Sequence, residues 1–182
     1  MLSADLAIAA RHKPLVANWA PEVAAAAAVY APETGLSEEE LGLFVMATID
    51  RETGGKNELG DNGHGHGLMQ LDDRFNAAFL ATHLNGLDPA SNIMEGTRQL
   101  AAHIVTMRKA ISNVGPVPLD TQLTAASAAY NAGEGREVHL LILTGDISKI
   151  DFPTTDHNYG EDVLRRRDEF RAALAASRAA VT

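Results

Sequence analysis

The sequence predicts a mainly α-helical fold: a helical bundle around one central buried helix, with a glycine-rich loop or small hairpin lining a cleft beside it. Three observations carry this. The composition is rich in alanine and only 5% aromatic, which suits helices. Core-type residues recur at three- and four-residue steps over long windows, most clearly Ile93, Thr97, Leu100, Ile104, Met107 and Ile111. Helix starts and stops, Ser, Asp or Pro before such windows and Gly after them, recur at helical lengths.

The elements follow in order. A short helix is expected near 3–12 and a second at 21–31, opened by Pro21. Ser37 with Glu40 three residues later reads as a capping box, so a helix starts near Glu38. On it Leu41, Val45, Thr48 and Ile49 recur at helical spacing. Glu52, eleven residues after Leu41, falls on the same inward face before Gly54-Gly55 ends the helix. Asp61-Asn62-Gly63 has turn chemistry. Asp72 reads as the cap of a helix over 73–84, in which Phe75 and Phe79 stand four apart. The window 91–113, ending before Gly115, is expected to be the central core helix. Further helices are expected at 120–131, 136–144 and 160–180. At 182 residues the chain is expected to form a single domain, 1–182, with 1–36 an N-terminal helical extension and 37–182 the core.

Composition narrows the function. The absence of cysteine excludes disulfide staples and is compatible with synthesis in a reducing compartment. No basic residue precedes the first apolar run, and Asp5, Arg11, His12 and Lys13 interrupt it, so a cytoplasmic product without a signal peptide is expected. The longest apolar stretch, Val23 through Ala31, is too short to cross a membrane, and no stable membrane insertion is expected. A net charge of −9 disfavours nucleic acid as a partner. Arg165-Arg166-Arg167, among Glu161, Asp162, Asp168 and Glu169, reads as a solvated face with local ion pairs.

The chemistry concentrates between Arg51 and Arg74. At the end of its helix, Glu52 meets the negative pole of the helix dipole, and its inward face adds desolvation; both favour a proton donor. Breaking a glycosidic bond needs a proton on the leaving oxygen from one side and a carboxylate handling water or the anomeric carbon on the other. Glu52, Asp61 and Asp72 have the types for both roles. His64 and His66 beside Asp61 and Asp72 also have the types of a metal site, but the glycines between them loosen the geometry and no third histidine lies nearby. Neither metal nor cofactor is assigned, and a phosphate cradle would lack its Gly-Lys-Ser/Thr end.

This block resembles the active-site region of goose-type lysozymes, glycoside hydrolase family 23, relatives of the soluble lytic transglycosylases. Arg51-Glu52-Thr53 matches their catalytic glutamate motif and Gly65-His66-Gly67-Leu68-Met69-Gln70 their Gly-x-Gly-Leu-Met-Gln signature. Ala129-Tyr130-Asn131-Ala132-Gly133-Glu134-Gly135 follows in family order, then Thr154-Thr155-Asp156-His157-Asn158-Tyr159 leading into Asp162-Val163. The matches span residues 48 to 166, and the first part of the chain carries no motif of the family. The resemblance implies an α+β, lysozyme-like domain with Glu52 as general acid. It implies Tyr130 and Tyr159 as aromatic neighbours of the reacting sugar, and His66, Gln70 and Asn131 as further substrate contacts. Asp61 and Asp72 match the two aspartates implicated in holding the attacking water in the goose-type branch. Transglycosylases usually read Met-Pro after the glutamine motif, so Leu71-Asp72 sides with hydrolysis. His66 departs from the family, which often carries an aromatic ring there. The acidity departs too, because cell walls are anionic and binding then falls to the cleft.

The function so implied is hydrolysis, with inversion, of the β-1,4 bond between N-acetylmuramic acid and N-acetylglucosamine, by a monomer acting on peptidoglycan glycan strands. One alternative is a lytic transglycosylase, in which the muramic 6-hydroxyl replaces water and an anhydro end forms. Another is a noncatalytic glycan-binding or virion structural protein of the same fold, against which the retention of Glu52 argues. Action on a cell wall would then follow release by lysis machinery, phage delivery or secretion by another route.

Overall fold

The computed structural model describes residues 1–112, 115–136 and 144–180, and over these the chain is mainly helical, as expected. It divides into two compact units, residues 1–98 with 166–182, and residues 99–165. The first holds α1 (Leu2–Ala9), α2 (Pro14–Ala17), α3 (Ala20–Thr34), α4 (Glu38–Glu52), α5 (Asp73–Leu80) and the first turns of α6 (Pro89–Ser112). The second holds the rest of α6, α7 (Leu119–Ala132) and the start of α8 (Tyr159–Ala179), whose remainder returns to the first unit. Among the described residues no helix is long and apolar enough to cross a membrane.

The buried centre of the first unit is α4, against which α1 and α3 pack. Every residue from Leu41 to Asp50 is buried. This corrects the expectation that 91–113 is the central helix: in α6, Leu100, Ala101, Ile104, Met107 and Ile111 are buried while Val105 is 44% exposed, a one-sided stripe. The physical reason is in the sequence of α4, where Leu43, Phe44, Met46 and Ala47 supply apolar surface outside the Leu41-Val45-Ile49 stripe. A helix apolar all round belongs inside, whereas a clean stripe marks a helix with one solvent face.

Ser37 Oγ accepts from Glu40 N at 3.1 Å, so α4 starts where the capping box places it. The helix expected at 3–12 ends instead at Ala9, because Pro14 opens a new short helix at its first position. The helix expected at 21–31 continues through Pro32 to Thr34, where Gly35 at φ 69° closes it and Thr34 Oγ1 donates to Ala31 O. Pro32 cannot donate to the Ala28 carbonyl, and the helix ends within two residues of it. The helix expected over 73–84 stops at Leu80, because Leu84, Asn85 and Gly86 take positive φ values of 50°, 55° and 75° and cannot continue a right-handed helix. The helix expected at 136–144 lies, apart from its two end residues, outside the described residues.

The arginine cluster is also corrected. Arg165 pairs locally with Asp162, as a solvated face would, but Arg166 pairs with Asp50 and Arg167 is 0% exposed. Arg167 donates to Glu40 Oε1 at 3.1 Å and to Asp168 Oδ1 at 2.7 Å, and Arg171 also pairs with Glu40. The last residues of α8 bury an apolar face as well, Phe170 and Leu174, which draws the neighbouring arginines out of water. In the second unit, Met107 and Ile111 of α6 pack with Ala125, Ala128 and Ala129 of α7 and with Ile150. Buried Asp151 caps the start of α8, accepting from Gly160 N and Glu161 N at 2.8 Å each.

Candidate active site

Glu52 is the last residue of α4 and is half-buried. Neighbouring residues tie down the helix end that carries it. Two residues earlier, Asp50, with a side chain 6% exposed, pairs with both Lys13 and Arg166. One residue later, Thr53 Oγ1 donates to Leu68 O at 3.2 Å, tying the helix end to the following loop. Trp19 Nε1 donates to Gly55 O at 2.9 Å. Gly55 has φ +85°, and a Cβ there would stand 2.6 Å from Leu15 C and Val16 N, so only glycine lets the chain pass so close to α2.

The loop after α4 is a three-stranded antiparallel sheet, β1 (Leu59–Gly60), β2 (Gly65–His66) and β3 (Leu71–Asp72), in that order. Leu59 pairs with His66 and Gly60 with Gly65, then Gly65 pairs with Asp72 and His66 with Leu71. Gln70 lies across it. Its Nε2 donates to Gly67 O at 2.8 Å and Glu58 O at 3.2 Å, and its Oε1 occupies the space where a Cβ at Gly60 or Gly65 would fall. Asn92, fully buried on α6, donates from Nδ2 to His66 O at 2.8 Å and Gly86 O at 3.0 Å and accepts from Met69 N at 2.9 Å. Leu68 and Met69 are 0% exposed. The Gly-His-Gly-Leu-Met-Gln segment is thus a packed brace whose backbone is bonded by its own Gln70 and by Asn92 of α6.

His66 sits inside this brace, 4% exposed, with Nδ1 bonded to Asn85 O at 2.8 Å, so Nδ1 carries the proton. Asp73 Oδ2 stands 3.9 Å from His66 Nε2, and Asp73 Oδ1 stands 2.9 Å from His64 Nδ1. A buried ring in this position supports the strained Leu84-Asn85-Gly86 turn rather than facing solvent. Among the described residues, no group of three or more His, Asp or Glu side chains is arranged to hold a metal ion.

Asp61 and Asp72 are brought to one cation, Arg74. Asp72 caps α5, its Oδ1 accepting from Arg74 N at 2.8 Å, and the guanidinium Nε reaches its two oxygens at 2.8 and 3.0 Å. This fork holds the Asp72 carboxyl below the usual carboxylate range. Arg74 Nη2 also stands 3.4 Å from Asp61 Oδ2. Asp61 is 62% exposed, on a turn where it, Asn62 and Gly63 all have positive φ. Sequence reasoning missed Arg74. Its one signal is a cation in the first turn of a helix, where the dipole disfavours it unless a carboxylate is near.

The remaining sequence candidates belong to the second unit. Tyr130 is half-buried on the last turn of α7, edge-on to His103 at a ring distance of 6.1 Å. Asn131 Oδ1 accepts from Thr155 N at 2.9 Å, and Tyr159, only 2% exposed, opens α8. Gly133 closes α7 with φ 94°, its N–H donating to Ala129 O at 2.9 Å. His103, also missed, joins Glu134 of the same motif at 2.9 Å.

No protein-family profile matches the chain. Among known proteins it is similar to lysozyme g of Gallus gallus, 33% identical over 117 residues, and to lysozyme g of Struthio camelus, 32% identical over 117 residues. Lysozyme G of Dromaius novaehollandiae is 29% identical over 116 residues. Each match covers 64% of this chain and 48–50% of the relative, so the chain spans about half the length of the proteins it matches.

Proposed function

From this relationship to the goose-type lysozymes and the geometry at the end of α4, we propose that the chain is a glycoside hydrolase of the lysozyme kind. It cleaves the β-1,4 bond between N-acetylmuramic acid and N-acetylglucosamine in peptidoglycan by hydrolysis with inversion. The observation that carries the reading is a half-buried glutamate on a pinned helix end, braced through Thr53 and Leu68 to the hairpin that gathers Asp61 and Asp72 around Arg74.

In the reaction Glu52 gives its proton to the leaving N-acetylglucosamine O4 as the anomeric C–O bond breaks. A water held by the aspartates adds its oxygen to the anomeric carbon from the opposite face and gives its proton to a carboxylate. One carboxylic acid is consumed, one carboxylate is protonated, and exchange with solvent restores both. The enzyme reaches the wall after lysis-linked release, phage delivery or another export route. Glu52→Gln keeps the shape and removes the transferable proton, so release of reducing ends from purified peptidoglycan should fall by about 10²–10⁴ while the circular dichroism spectrum stays unchanged. A folded Glu52→Gln variant with wild-type turnover would remove Glu52 from the mechanism.

A further inference from the structure

The two aspartates are not equivalent in the structure, and Arg74 is what separates them. Asp72 has both carboxylate oxygens engaged: Oδ1 by the backbone N and Nε of Arg74, Oδ2 by Nε and Nη2. Taking a proton from water would require this fork to break. Asp61 makes a single 3.4 Å contact to the far nitrogen of the same guanidinium, through Oδ2, and its Oδ1 has no hydrogen-bond partner among the described residues. The backbone under Asp61 runs through three consecutive positive φ values of 45°, 57° and 99° at Asp61, Asn62 and Gly63, a region that Asp, Asn and Gly enter more readily than other residues.

We propose that Arg74 is a positioning residue that divides labour between the two aspartates: it ties Asp72 into the helix cap as a fixed anchor and steers Asp61, through its one engaged oxygen, to present the other to the attacking water. This rests on the glycosidase reading above. Arg74 is 57% exposed, so its removal leaves no buried charge unpaired. The charged and titratable groups facing the trio are Asp73 on α5 and His64 on the preceding turn, and Asp73 and His64 pair with each other at 2.9 Å. Arg74 is therefore the cation that both Asp61 and Asp72 touch.

The experiment measures kcat and KM against pH on purified peptidoglycan for the wild type, Arg74→Gln and Arg74→Lys, with circular dichroism as the folding control. Loss of the guanidinium removes the hydrogen bonds that hold the Asp72 carboxyl below the usual carboxylate range, so Asp72 protonates at a higher pH. In Arg74→Gln the acid limb of kcat, to which the two aspartates contribute as a coupled group, should move to higher pH. At the optimum, kcat should fall roughly ten- to hundredfold with KM within about twofold, as expected when a reacting group is misplaced. Arg74→Lys keeps the charge and loses the fork, so its acid limb should stay near the wild-type position with an intermediate kcat. A second readout is rescue of Arg74→Ala by added methylguanidinium at millimolar concentration, which restores activity only if the cation acts on the carboxylates. If the wild type releases no glycan fragments, the glycosidase reading fails first. If the wild type is active and Arg74→Gln keeps both its kcat and its acid limb, or loses kcat without moving the limb and without rescue, Arg74 is structural and the proposal is overturned.

Discussion

Asp50 stands two residues before Glu52 in the last turn of α4, and its replacement by asparagine tests how far its ion pairs hold that helix end. The carboxylate is 6% exposed and pairs with Lys13 and Arg166, whose side chains are 28% and 20% exposed. Asn keeps the volume and cannot neutralise either cation. Removing one partner of a buried pair costs about 3–5 kcal/mol, because the remaining charge is left desolvated. Both cations here keep partial access to water, which places the expected loss near the lower figure, about 3 kcal/mol. For a chain of 182 residues, with roughly 2–4 °C per kcal/mol, the midpoint should fall by about 6–12 °C. Lys13→Met leaves Asp50 paired with Arg166 and should cost far less, about 1 kcal/mol. Urea titrations followed by circular dichroism at pH 7 give both values. A loss below about 1 kcal/mol for Asp50→Asn, or equal losses for the two variants, would show that the ion pairs are hydrated and do not hold the helix end.

Two further outcomes follow from the same geometry. Gly55→Ala places a methyl group 2.6 Å from the backbone of Leu15 and Val16 at φ +85°, and should destabilise by at least about 2 kcal/mol, checked by the urea midpoint. Asp72 carries a lowered pKa through its bonds to Arg74, so its folded value lies below its unfolded one. The stability from that pairing is full above the unfolded value, about 3.9, and is lost as pH falls through the folded one. Asp72→Asn preserves the cap, so the difference between wild type and variant should be flat from about pH 5 to 8 and close below about pH 4. Asp72→Ala should lose a further 1 kcal/mol or so at every pH, from the missing cap.

What was legible in the sequence was local. Ser37 starts α4, Gly54-Gly55 follows its end, Asp72 caps α5 and Gly133 closes α7, because each signal is a hydrogen bond or a backbone angle set within a few residues. The hairpin is legible from its glycines but its brace is not, because Gln70 and Asn92 reach Gly67, His66 and Met69 through hydrogen bonds that spacing does not report. Two of the differences come from pairing at long range. Glu40 has the spacing to complete a capping box with Ser37, but its carboxylate pairs with Arg167 and Arg171 at the other end of the chain. His66 reads as a surface contact on a polar loop, and its burial depends on the turn at Asn85. The helix α4 was read by one stripe because periodicity registers a single face and cannot report that the other faces are covered too.

The central claim, that water rather than an internal hydroxyl completes the cleavage, is tested most directly by the products. Purified peptidoglycan digested in ¹⁸O-labelled water and analysed by mass spectrometry should yield reducing muramic ends carrying one ¹⁸O, formed initially as the inverted anomer, and formed about 10²–10⁴ times more slowly by Glu52→Gln. Anhydromuramic ends without label as the main product would contradict hydrolysis and make the chain a transglycosylase, while leaving Glu52 as the proton donor.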